Sequence, residues 1–103
     1  MRKYKAIVKR PDEAAGHMTN ISTSLENLQR IVGGYIETVY FEDIVIICNE
    51  EGKIRGLEPS FKCGNDVICG TVAVMSVDGE EFGDVRISLP EWREILRRWG
   101  NGA

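Results

Sequence analysis

Ile44-Val45-Ile46-Ile47-Cys48 is an apolar run with no charged or polar side chain in it. A strand with one wet face alternates apolar and polar residues. An unbroken β-branched run instead needs cover on both faces, so this stretch predicts a central strand. Immediately upstream, Tyr35-Ile36-Glu37-Thr38-Val39-Tyr40 reads as a second strand, and the short link Phe41-Glu42-Asp43 predicts a hairpin between them.

Working back toward the N-terminus, Leu25, Leu28, Ile31 and Val32 recur at helical spacing behind the capping candidates Ser22, Thr23 and Ser24. Gly33-Gly34 stops that helix, one of the pair at the left-handed position. Tyr4, Ala6 and Val8 alternate with Lys3, Lys5 and Lys9 around the apolar Ile7, which predicts a first strand with one well-buried face. Arg10-Pro11-Asp12-Glu13 ends it, because proline cannot donate to a ladder. His17 to Ile21 is a candidate short edge strand.

Toward the C-terminus, Asn49-Glu50-Glu51-Gly52-Lys53 is a turn leading into Ile54-Arg55-Gly56-Leu57, and Glu58 to Asn65 reads as irregular. Val67 to Val77 reads as one long β-rich run with a bulge or close backbone approach at Gly70. Asp78-Gly79 is a turn signal, and a shorter strand is expected after it. Ser88-Leu89-Pro90-Glu91 has the form of a capping box. Leu89, Trp92, Leu96 and Trp99 then form one stripe, Arg97 and Arg98 lie where the helix dipole favours cations, and Gly100 closes the helix. Asn101-Gly102-Ala103 is expected to fray. The elements predict an α+β fold with a small mixed or antiparallel sheet of four to six strands, one helix packed across it and a C-terminal helix.

The chain has 103 residues, a size for a single domain over 1–103, and its 13 Lys and Arg against 16 Asp and Glu leave it at −3. That charge, with no basic tract, argues against a duplex nucleic-acid partner. No apolar run approaches the roughly 18 residues of a membrane span, and Met1-Arg2-Lys3-Tyr4-Lys5 lacks the apolar segment of a secretion signal. The expected compartment is the cytoplasm. Cys48, Cys63 and Cys69 form no Cys-x-x-Cys pair and the single histidine, His17, is distant in sequence, so neither a metal site nor a Cys–His dyad is expected.

No nucleophile-elbow, metalloprotease or phosphate-loop pattern occurs, and Glu50-Glu51 and Glu80-Glu81 sit beside turn glycines as solvated residues would. The expectation is a protein without catalysis and without a cofactor. Arginine placement is more informative. Arg93 and Arg97 lie at i, i+4 beside the tryptophan stripe, where two guanidinium groups can grip a phosphate or carboxylate. The competing assignment is pairing with Glu94 or Glu91 on a solvated helix face. Arg55 is a further cation candidate, and Phe82 an aromatic able to stack on a base or to fold onto the core.

The run Leu25 to Glu37, with Gly33-Gly34 at its centre, then Asn49-Glu50-Glu51-Gly52-Lys53, Gly56-Leu57 and Asp66-Val67-Ile68-Cys69-Gly70-Thr71, resembles a family of domains of unknown function. Its members are carried by phages, prophages and conjugative elements of Firmicutes. The resemblance spans about residues 3 to 77, and the C-terminal helix, with its arginines and tryptophans, departs from it. A second resemblance is to phage sponge proteins of the anti-Thoeris type, which sequester cyclic ADP-ribose-like or cyclic oligonucleotide signals between subunits. It implies an anti-defence protein of a phage or mobile element acting in the host cell. Arg93 and Arg97 would bind one phosphate, Arg55 a second, and Phe82 would stack on the base, with the pocket formed in a homo-oligomer. The alternative is a protein-binding inhibitor, anti-CRISPR-like, presenting Glu50, Glu51, Glu80 and Glu81 to a basic channel.

Overall fold

The computed structural model describes residues 2–102. Strands β1 (Lys3–Lys9), β2 (His17–Ser22), β3 (Ile36–Phe41), β4 (Ile44–Asn49) and β7 (Val72–Asp78) form one antiparallel sheet in the order β2-β1-β7-β4-β3, with the short β8 (Glu81–Gly83) paired to the end of β7. Strands β5 (Pro59–Cys63) and β6 (Asp66–Cys69) make a separate antiparallel hairpin. Helices α1 (Leu25–Val32) and α2 (Leu89–Arg98) complete an α+β fold.

The central apolar run behaves as its composition requires. All of β4 is buried, with Ile44, Ile46 and Cys48 facing one core and Val45 and Ile47 the other. On the first face lie α2 and the β5–β6 hairpin, and on the second lies α1 through Leu28 and Val32. Helix α1 starts at Ser24, whose side chain accepts from the Asn27 amide at 3.2 Å, and stops at Gly33 with φ 82°.

Several expectations are corrected. Glu58 to Asn65 is not irregular, because Pro59–Cys63 folds back on Asp66–Cys69. The run from Val67 to Val77 is two strands in two sheets, since Gly70 takes φ 88° and redirects the chain. A Cβ on Gly70 would stand 2.9 Å from Leu57 Cδ1, so the redirection also needs the missing side chain. The tail is held too: Asn101 pairs with the Lys62 backbone in both directions (2.8 and 2.9 Å) and donates to Leu96 O, while Ala103 lies outside the described residues.

Lys9 faces the same core as Ile7 and is buried, although its alternation marked it for solvent. Its ammonium donates to Ser60 O at 2.7 Å, Ser60 Oγ at 3.1 Å and Arg10 O at 3.3 Å, and lies 5.7 Å from the Phe61 ring centre. Burial lowers its pKa, against the opposing pull of Glu13 and Asp12.

Candidate functional site

Helix α2 builds the site. Its capping box is complete: the Glu91 amide donates to Ser88 Oγ at 3.2 Å and the Ser88 amide to Glu91 Oε1 at 2.9 Å. That bond holds the Glu91 carboxyl below its usual range. Trp92, Ile95 and Leu96 turn inward, which leaves Arg93, Glu94 and Arg97 on the outer face. Trp92 is fully buried among Phe61 (5.5 Å between ring centres) and Trp99 (6.0 Å).

The indole also fixes what stands opposite. Trp92 Nε1 donates to Ala15 O at 2.9 Å, which ties the β1–β2 loop to the helix. The loop is held at its other contacts by the Arg10 amide on Glu13 Oε1 (2.9 Å) and by Glu13 Oε2 against His17 Nδ1 (3.0 Å). Gly16 closes it at φ 91°, where a Cβ would lie 2.4 Å from Val8 O. Between this loop and α2 is a cavity of about 460 Å³. Ala14, Ala15, Pro90 and Leu96 supply an apolar wall, and Arg93, Glu94 and Arg97 a charged one.

Arg97 Nη2 holds Glu94 Oε1 and Oε2 at 2.5 and 2.6 Å. Arg93 has no hydrogen-bond or ion-pair partner among the described residues. The two arginines line one cavity, and Arg97 is matched by Glu94.

Arg55 and Phe82 are elsewhere. Arg55 lines a separate cavity of about 310 Å³ near the end of α1, with Ile31, Leu57 and Thr71. Its guanidinium lies over Gly34, where a Cβ would stand 3.2 Å from Nη1. Phe82 is in β8 opposite Val77 and packs against the α1-side core, on the other face of the sheet from α2. One chain thus brings Arg93 and Arg97 together and adds neither of the other two. Sequence spacing pointed to the arginines but gave no signal for the Ala14–Ala15 wall, because that loop meets α2 through contacts between distant positions, among them a bond spanning 77 residues.

A further concavity of about 230 Å³ gathers Glu37, Glu50, Glu51 and Asp66 around Lys53 and Ile54. Lys53 pairs with Asp66, which lowers the Asp66 pKa and raises that of Lys53. Cys48 and Cys69 line the same space. Burial, reinforced by Glu37, pushes the Cys48 thiol up to about 11, and burial raises Cys63 as well. No group of three or more His, Cys, Asp or Glu side chains placed to hold a metal ion exists among the described residues.

The motif that carried the family resemblance is a structural knot at this edge. Buried Asn49 donates Nδ2 to Val32 O at 3.1 Å and accepts the Glu51 amide at 2.8 Å, which ties the Asn49–Gly52 turn to the end of α1. A Cβ on Gly34 would meet Asn49 Nδ2 at 2.8 Å, and one on Gly52 would meet Cys69 O at 2.8 Å. The model of a family described as a domain of unknown function, DUF3846, matches residues 1–98. The chain belongs to this family. The match extends past residue 77 and takes in α2, so the C-terminal helix is part of the family domain. No curated protein and no solved structure matches the chain. No helix among the described residues is long and apolar enough to cross a membrane.

Proposed function

We propose that this DUF3846 domain captures a small anionic nucleotide without transforming it, serving a phage or mobile element by sequestering a cyclic nucleotide-type immune signal in the host cytoplasm. The observation that carries the reading is the cavity between α2 and the Ala14–Ala15 loop, where Arg93 and Arg97 face an apolar wall. Guanidinium groups one turn apart suit a phosphate, and Ala14, Ala15, Pro90 and Leu96 suit a flat ring. The loop wall is fixed before any ligand arrives, through the Trp92–Ala15 bond and Gly16, so little ordering entropy opposes binding.

Arg55 and Phe82 take no part in this cavity. A ligand that used them together with Arg93 would have to be shared with a second copy, which is the form in which a homo-oligomer enters the reading. Calorimetry with cyclic ADP-ribose isomers and cyclic di- and trinucleotides is the test. Micromolar or tighter binding that Arg93→Ala/Arg97→Ala weakens tenfold or more supports the proposal, on the scale of charge-assisted hydrogen bonds. No heat with any of these ligands overturns it, and light scattering decides the shared-ligand form.

A second reading, a protein-binding inhibitor, draws on the acidic concavity, where Glu37, Glu50 and Glu51 surround Ile54, which is 86% exposed. Under it, reversing Glu50, Glu51, Glu80 and Glu81 to Lys abolishes capture of a basic channel protein, and Arg93→Ala changes nothing.

A further inference from the structure

We infer that Glu94 is an internal competitor that decides which anions the Arg93–Arg97 cavity accepts, admitting phosphoryl groups and turning away carboxylates. The inference rests on the capture reading above and names the ligand chemistry of the same site. Its basis is an asymmetry between two arginines on one wall. Arg97 is engaged through Nη2 by both Glu94 oxygens at 2.5 and 2.6 Å, whereas Arg93, one turn earlier, has no partner among the described residues. All three side chains line the cavity.

An incoming carboxylate offers Arg97 what Glu94 already gives: two oxygens and one negative charge. Glu94 is tethered three residues away on the same helix, so it competes at the high effective concentration of an intramolecular partner. Exchange of like for like gains nothing and loses the tether. A phosphoryl group brings up to two charges and three acceptor oxygens. Arginines at i, i+4 have Cβ atoms about 5–6 Å apart, so one such group can engage Arg93 and Arg97 together. Breaking the Arg97–Glu94 pair, whose side chains are 64% and 48% exposed, carries a small cost, which a phosphoryl group bridging to Arg93 offsets and a carboxylate exchanged at Arg97 alone does not. Glu94, once displaced, turns to solvent on the outer face of α2. The pair therefore acts as a threshold, which only an anion able to bridge both guanidinium groups exceeds.

The experiment titrates the full chain with adenosine 5′-monophosphate and with adenosine-5′-carboxylate, a pair alike in ring and unlike in acid. The Nε–H NMR signals of Arg93 and Arg97 are followed in the wild type, Glu94→Gln and Arg93→Ala. In the wild type the phosphate binds about tenfold or more tightly than the carboxylate, and its binding shifts both arginine signals. In Glu94→Gln both ligands bind more tightly and the carboxylate gains more, so the preference narrows to about threefold or less. Equal wild-type affinities, or a preference that Glu94→Gln leaves unchanged, overturn the competitor role. The capture reading survives those results if Arg93→Ala still abolishes phosphate binding. No shift at either arginine, with either ligand, in wild type or Glu94→Gln, overturns both.

Discussion

The two faces of the central sheet are built to different standards. On the α1 face an eight-residue helix covers aliphatic side chains, with Leu28 and Val32 as its buried contacts. On the α2 face the cover is thicker. It combines a ten-residue helix, a two-stranded hairpin and a connected cluster of rings in which Phe61, Trp92 and Trp99 pack on one another and Phe41 packs on Trp99. The thin face rests on apolar periodicity and on the buried Asn49 tie to Val32 O at the end of α1. The thick face depends on specific polar bonds, from Trp92 to Ala15, from Lys9 to Ser60 and from Asn101 to Lys62, and it is the one that carries the arginine cavity. Rigid support and a candidate site occur together there because the same bonds that hold the loop in place shape the cavity wall.

The largest expected effect separates the faces by truncation. Trp92→Ala removes a fully buried ring and its hydrogen bond and lowers stability by about 3–5 kcal/mol, while Leu28→Ala on the opposite face lowers it by about 2–4. Urea unfolding of both variants checks the order, and a Leu28 variant the less stable of the two would break the comparison. Next comes Gly16→Ala, which has to place a methyl 2.4 Å from Val8 O at φ 91°. It costs about 1–3 kcal/mol, and hydrogen exchange should show the opening confined to the β1–β2 loop.

A pH experiment sharpens the contrast inside β4. Cys48 faces the thick side with its thiol raised to about 11 from 9.0. A folded-state pKa above the unfolded value gives stability that is complete below pH 9 and lost as pH rises toward 11. Cys48 should contribute a loss of about 2–3 kcal/mol across that window. Cys48→Ala should flatten the curve, and an identical slope in the variant contradicts the assignment. Lys9, its pKa lowered by burial, gives the opposite sign. Stability rises from its folded pKa up to 10.5, so Lys9→Met steepens the alkaline loss by removing that gain. The smallest effect is at the tip of the β3–β4 hairpin, where Glu42 holds φ 51°. Glu42→Gly should raise stability by up to about 1 kcal/mol in thermal unfolding and leave both faces unchanged.

These differences also explain what could be read from sequence. Ile44 to Cys48, the capping candidates Ser22 to Ser24, the Ser88 capping box and the Gly33-Gly34 stop are local signals, each complete within a few residues, and the structure follows them with Ser24 as the cap and Gly33 in the left-handed position. The two-sheet split at Gly70 was not legible, because an isolated glycine in a β-rich run marks a bulge as readily as a change of sheet. Lys9 was misread for a related reason: its cover, the β5–β6 hairpin, lies some fifty positions downstream and shows no pattern in β1. At the site, Arg93 and Arg97 were visible through helical spacing alone. The separation of Arg55 and Phe82 from them follows from which face of the sheet each element covers, and that requires the topology.

The sealed indole of Trp92 has a practical consequence. It is shut away from water, it grips the Ala15 carbonyl, and Leu96 of the same helix lines the cavity, so the molecule carries an intrinsic fluorophore next to its proposed binding space. An occupant pressing on Ala15 would change the polarity and hydrogen bonding around that ring, and emission wavelength would register occupancy with no label attached.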